Sequence, residues 1–149
     1  MNHEINVQSE SVQDYSDLNE EAQELIKAAI EAREFAYVPY SNFKVGSAIR
    51  VADGSIIGGC NIENSAYSPT ICAERTAACK AISTGNNEFK AVAVIGLQEK
   101  SFTTPCGVCR QFLSEFAKED IPVYVTKPEP ERVLVTSLSR LLPHSFNLN

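Results

Sequence analysis

No apolar run in this chain approaches the ~20 residues that a membrane-spanning helix requires, so no such helix is expected. Basic runs and a basic helix face are missing as well, and the formal net charge is −6. Nucleic-acid affinity comes largely from Lys and Arg neutralising phosphates, so a nucleic-acid partner is not expected. The opening stretch MNHEINVQSESVQDYSD lacks the basic start and apolar core of a secretory leader. A cytoplasmic location is therefore expected, where free thiols and metal thiolates outlast disulfides. A complete disulfide framework is also absent, because the cysteines number five. Histidine is scarce: the two present, His3 and His144, lie near the termini and neither reads as a metal ligand.

What remains is a balanced globular composition of 149 residues, 44% apolar and 21% charged, the size of one domain with its own core. Residues 1–16 read as a flexible tail and 17–149 as a single domain. Asp17 followed by Glu20 has the spacing of a helix start. Leu18, Ala22, Leu25, Ile26, Ala29, Ala32 and Ala36 then recur at helical period, predicting an amphipathic helix over 18–36. Two strand-like runs flank Asp53-Gly54, a hairpin signal. Helices are expected over about 72–84, closed by Gly85, and over about 107–118. FKAVAVIGL, PVYVT and RVLVT read as strands, and SLSRLL as a short last helix. The expectation is a three-layer α/β/α sandwich around a mixed five-stranded sheet. Only KPEPE joins the last two strands, too little for a parallel crossover, so they should pair antiparallel.

TICAERTAACKAI and TTPCGVCRQFL carry the chemistry. Cys106-x-x-Cys109 is a chelating spacing, but a thioredoxin-like redox pair has it too. Two features favour a metal. Cys72-x-Glu74 opens a second helix, and strand–helix–strand–helix order puts both helix starts at one sheet edge, where three sulfurs can converge. With three ligands in view rather than four, the site has the open position of a catalytic zinc centre. Three thiolates on Zn²⁺ leave a net −1, which two helix N-termini and Arg75, donating to sulfur, would offset. A carboxylate beside such a centre, Glu74, suits proton transfer. Taken singly, Cys72 reads as an inert buried cysteine, Glu74 as a first-turn helix acid, and Asn61 and Glu63 as a turn residue and a solvated acid. Cys60 and Cys79 read as core residues.

Cys-Ala-Glu-Arg at 72–75 with Pro-Cys-Gly-Val-Cys-Arg-Gln at 105–111 resembles the signature of the zinc-dependent cytidine deaminases. AYVPYSNFKVGSA, GCNIENSAY, EFKAVAV, PVYVTKP and LLPHSF resemble further segments of that family in order, over about residues 20–148. The likeness is to the small homotetrameric type with three cysteines. It implies one Zn²⁺ per chain on Cys72, Cys106 and Cys109, and proton shuttling by Glu74. It implies hydrogen bonds of Asn61 and Glu63 with the ribose hydroxyls, Glu63 accepting, Phe43 against the pyrimidine, and the Ala73 N–H on the base carbonyl. Phe146, and groups near Tyr67, would complete a neighbouring subunit's site. The reaction implied is hydrolytic deamination of free cytidine and deoxycytidine to uridine and deoxyuridine, releasing ammonia, as in pyrimidine salvage. Polynucleotide deaminases resemble one another in a helix between the last two strands, for which this chain has no room. A nucleoside-antibiotic deaminase shares the zinc motifs, but NIEN favours cytidine. A non-catalytic zinc module would have no need of Glu74. Thr104, where many relatives have Ser, and Ser68-Pro69-Thr70 depart from the family without touching the inferred chemistry.

Overall fold

A computed structural model describes residues 9–148. Its elements are β1 (Ser11–Asp14), α1 (Glu20–Arg33), β2 (Val45–Val51), β3 (Ile56–Cys60), α2 (Ala73–Ser83), β4 (Phe89–Gly96), α3 (Gly107–Ser114), β5 (Pro122–Thr126), β6 (Arg132–Ser137) and α4 (Leu138–Leu141), with a 3₁₀ turn at Tyr15–Asp17. They form one six-stranded sheet in the order β1-β6-β5-β4-β2-β3. Leu25, Ile26 and Ala29 of α1 pack with Ala48, Ala93, Ile95 and Val133 in one apolar layer. Residues of α2, α3 and α4 pack with Ile49, Val92, Val94, Val123 and Val125 in the other. Alternate residues of a strand point to opposite faces, and Val92-Ala93-Val94-Ile95 divides between the layers accordingly. The expected α/β/α sandwich is present, and β5 and β6 pair antiparallel.

The sheet has six strands rather than five, because part of the expected tail is a strand. β1 pairs antiparallel with β6 over Ser11–Asp14. The Arg132 guanidinium meets Asp14 at 2.6 Å, and the Thr136 hydroxyl donates to Glu10 at 2.7 Å. Residues 1–8, including His3, lie outside the described residues.

Helix boundaries also moved. Asn19, not Asp17, caps α1, its side chain accepting from the Ala22 N–H at 2.9 Å. The far end tightens into i→i+3 turns at Phe35 and Ala36, leaving Phe35 81% exposed. α3 likewise ends at Ser114, followed by shorter turns to Phe116 and Ala117. Cys79 is exposed rather than core, since α2 buries Ala73, Glu74, Ala77, Ala78 and Ala81 and Cys79 points away from that face. Cys60 is half-buried. Gly54, at φ +89°, turns the β2–β3 hairpin as expected.

The sheet order places the helix starts. β3 and β4 both run antiparallel to β2, so they run the same way and deliver the chain to the same sheet edge. The chain leaves β3 towards α2 and leaves β4 towards α3. At Gly59 a side chain would collide with the backbone of Ala73 and Ala77. The missing Cβ is what lets the start of α2 lie directly on β3.

Candidate active site

Cys72 and Cys106 are the N-cap residues of α2 and α3. Their sulfurs lie 3.9 Å apart, and with Cys109 all three sulfurs fall within 4.8 Å of one another. A tetrahedral zinc with Zn–S bonds of about 2.3 Å would hold its sulfurs roughly 3.8 Å apart. The donor set and spacing therefore fit one zinc ion. No fourth Cys, His, Asp or Glu joins the cluster among the described residues, which leaves a tetrahedral position for water or substrate.

The charges around the sulfurs suit a cation. Arg75 donates through Nε to Cys109 Sγ and through Nη2 to Cys72 Sγ, each at 3.4 Å. The Cys72 thiol is pulled down to about 5, first by its hydrogen bond with Cys109 and then, against burial, by Arg75. Cys109 is pushed up as the partner in that bond and by burial. The pair thus sheds one proton readily and holds the next, and a metal cation would replace what it holds. The Cys106 sulfur accepts from the Cys109 N–H at 3.5 Å, an N-cap bond made by sulfur.

Glu74, 3% exposed, is the second residue of α2. Burial pushes its carboxyl above the usual range, opposed by hydrogen bonding with Cys109. A cavity of about 240 Å³ brings Glu74 together with Cys72, Cys106, Ala73, Phe43 and Asn61, and adds Val45, Val94, Thr103 and Thr104. Sequence reasoning missed those four as lining residues. Thr103 and Thr104 carried one usable signal, their position just before Pro105-Cys106.

Asn61 stays in this cavity, while Glu63, Tyr67 and Phe146 lie outside it. Asn61 spends much of its amide on backbone: Oδ1 accepts from the Val45 N–H at 2.9 Å and Nδ2 donates to the Phe43 carbonyl at 2.8 Å. It thereby fixes Phe43 at the cavity wall and keeps one Nδ2 hydrogen to donate. Glu63 and Tyr67 line a neighbouring cleft of about 410 Å³ with Tyr40, Ser41 and Thr70. One Glu63 oxygen accepts the Tyr40 and Ser41 N–H groups at 3.0 and 3.1 Å. Hydrogen bonding from Ser41 holds its carboxyl below the usual range. Phe146 is 69% exposed and lies against α3. The Gln111 amide clips its backbone, donating to the Phe146 carbonyl at 2.9 Å and accepting its N–H at 3.1 Å. His144 is exposed at φ +69°.

Residues 19–125 match the family model described as the cytidine and deoxycytidylate deaminase zinc-binding region. A cytidine deaminase of Sporosarcina psychrophila is 49% identical over 85% of this chain and 92% of its own length. One from Halalkalibacterium halodurans is 48% identical over 83% and 92%. The crystal structure of cytidine deaminase from Burkholderia pseudomallei superposes with a TM-score of 0.77 at 44% identity, covering 87% of this chain and all of that one. A zinc-fitting trio of thiols on two helix starts, at the expected places in such a sheet, agrees with each of these likenesses. The chain belongs to the cytidine and deoxycytidylate deaminase family, as a zinc-dependent cytidine deaminase.

Proposed function

We propose that residues 17–149 act as one catalytic domain that hydrolyses free cytidine and deoxycytidine to uridine and deoxyuridine with release of ammonia. The observation that carries this reading is a cavity shared by Cys72 and Cys106 of the three-thiol cluster and a buried glutamate, with a second, half-buried glutamate in the cleft alongside. Zinc held by Cys72, Cys106 and Cys109 would supply a Lewis acid that activates water for attack at C4 of the base. Glu74, kept from ionising easily by burial, is suited to take a proton from that water and deliver it to N3. It then moves a second proton to the amino group, which leaves as ammonia. The Ala73 N–H, unpaired in the first turn of α2, would hold the base carbonyl. Phe43 packs on the ring. Asn61 and the unspent oxygen of Glu63 would take the ribose hydroxyls. Arg75 holds two of the sulfurs in place and offsets their charge.

Free nucleosides are favoured over polynucleotides by two features. β5 and β6 are antiparallel, joined by a short connection with no helix. A carboxylate at the sugar end welcomes a hydroxyl, which can donate, and repels a phosphate, which cannot. Phe35, Tyr37, Tyr40, Tyr67 and Phe146 are each at least half exposed. Such large apolar groups around the clefts support a homotetramer whose neighbouring subunits cover them, Tyr67 and Phe146 among the groups completing sites across the interface. No described helix is long and apolar enough to cross a membrane, and a cytoplasmic salvage role accords with this reading. Incubating purified protein with cytidine and following loss of the cytosine chromophore tests the proposal. Uridine and ammonia should appear in equal amounts. Absence of turnover in zinc-loaded protein would refute it.

A further inference from the structure

The Arg75 hydrogen bonds to sulfur go to Cys72 and Cys109, not to the third sulfur, Cys106. Cys106 is also the most exposed of the three, where Cys109 is buried and Cys72 half-buried. Nothing lies within 4 Å of the place a side chain on Gly107 would occupy, and Val108 is 62% exposed. The turn that presents Cys106 therefore has little packing of its own, and its aim must come from the backbone just before it.

That backbone is held by Arg110, one turn along α3. Arg110 Nε donates to the Pro105 carbonyl at 2.7 Å and Nη2 to the Thr104 hydroxyl at 3.3 Å. Nη1 donates to the Leu141 carbonyl, the last of α4, at 2.7 Å. The Pro105 carbonyl belongs to the peptide plane that ends at the Cys106 Cα, so fixing that plane places the Cys106 Cα, and the N-cap φ of −66° at the start of α3 then sets where its Cβ points. Pro105 is itself buried and cannot tilt freely. A guanidinium can hold these three acceptors at once in a planar fork, whereas an ammonium head cannot span them.

We propose that Arg110 is a positioning residue for the Cys106 thiolate, and that it takes its purchase from the Leu141 carbonyl at the end of α4. The two arginines then divide the metal site. Arg75 orders two sulfurs directly, and Arg110 orders the third through the main chain. The end of α4 thereby becomes part of what retains the metal. This rests on the three-cysteine zinc site described above.

The test is zinc release from the loaded protein into a coloured chelator. Wild type should carry about one zinc per chain; a wild type without zinc overturns both the site and this inference. Arg110→Ala should release zinc faster by roughly tenfold or more, the scale on which supporting residues act on metal affinity. Arg110→Lys should restore only part of the difference, and it carries the test if Arg110→Ala does not fold. Truncation after Arg140, which removes Leu141, should speed release as Arg110→Ala does, and the two combined should be no faster than either alone. Truncation after Pro143, which keeps Leu141 and removes Phe146, should leave release unchanged. A lower melting temperature with wild-type zinc release in the Arg110 variants would assign a purely structural role and overturn the proposal. So would multiplying effects in the combined variant.

Discussion

Glu74 and Glu63 carry the same side chain into opposite surroundings. Glu74 sits 3% exposed beside three sulfurs, and burial raises its pKa. Glu63 lines an open cleft, and hydrogen bonding from Ser41 lowers its pKa. A carboxyl that ionises reluctantly exchanges protons with substrate more readily than one that stays charged. A carboxylate that stays charged is a lasting acceptor for hydroxyl donors. The difference teaches how the proposed reaction would be divided: the thiol end would handle protons, and the sugar end would read the substrate. Solvent sets the scale of each, since a buried charge acts through low dielectric and an exposed one is screened.

The sharpest way to break this comparison is to remove the proton from one end. Glu74→Gln keeps the volume and abolishes the base. Turnover of cytidine should fall by at least the ~10²–10⁴-fold typical of a general acid–base group. Zinc content and melting temperature should stay near wild type, since no ligand is touched. Near-normal turnover with one zinc per chain would remove Glu74 from the chemistry.

The corresponding change at the other end should be far gentler. Glu63→Gln retains an oxygen for the Tyr40 and Ser41 N–H groups and loses the charge. The expected result is a rise in KM for cytidine of about fivefold or less, because this half-buried carboxylate lines an open cleft where solvent screens it. Discrimination against cytidine 3′-monophosphate should relax, as a like charge near the phosphate is gone. Competition between cytidine, its 3′-monophosphate and a short single-stranded oligonucleotide checks both statements. Efficient deamination of the oligonucleotide by wild type would end the free-nucleoside reading. A kcat loss as deep as that of Glu74→Gln would erase the division of labour.

Acidity separates the two ends in a smaller way. Hydrogen bonding from Ser41 holds the Glu63 carboxyl below the ordinary glutamate value of 4.5, so the folded protein favours its charged form. The stability this brings is fully present above 4.5 and is lost as pH falls through the lower folded value. The melting-temperature gap between wild type and Glu63→Gln should therefore be flat from about pH 5.5 to 8 and close on acidification. A gap that opens on acidification would contradict the direction of the shift.

Most of the thiol end was legible in the sequence, and less of the sugar end. Cysteines at helix starts advertise themselves because capping position and ligand spacing coincide: Cys72 and Cys106 are both N-caps, and Cys109 follows one turn later. Burial of Glu74 follows from the same short helix lying on Gly59. Asn61 and Glu63 carry no such periodic signal. Their partners, Tyr40, Ser41 and Phe43 on the loop before β2 and Val45 at its start, lie twenty-odd residues away for Glu63, and only the fold brings these segments together. Arg110 was invisible for the same reason, since Leu141 is 31 positions on. The α/β/α order was readable from alternating buried strands and amphipathic helices. β1 was not. SVQD is short and polar, and every second residue is exposed. Its partner strand lies 118 positions away at the Arg132–Asp14 pair.

β1 supplies the control that lies far from both glutamates, and the smallest expected change in activity. Deleting residues 1–14 removes the strand and its Glu10 and Asp14 contacts, but leaves Tyr15, whose N–H bonds the Glu131 carbonyl. It also leaves the Gln23 amide, which holds the Tyr15 and Leu18 carbonyls at 3.1 and 3.0 Å. α1 thus keeps its lead-in. Neither cleft contains a residue of this stretch, so kcat and KM for cytidine should match wild type. Stability should fall, because β6 loses a ladder and Val135 and Thr136 lose cover; a drop of roughly 5 °C in melting temperature is the expected scale. The uncovered β6, RVLVTS, would present unpaired backbone along an apolar edge, the usual template for strand-to-strand association. Light scattering of the deletion variant should therefore show growth with concentration that wild type lacks. If the deletion instead cost activity while leaving stability and size unchanged, the N-terminal strand would belong to the site rather than to the sheet.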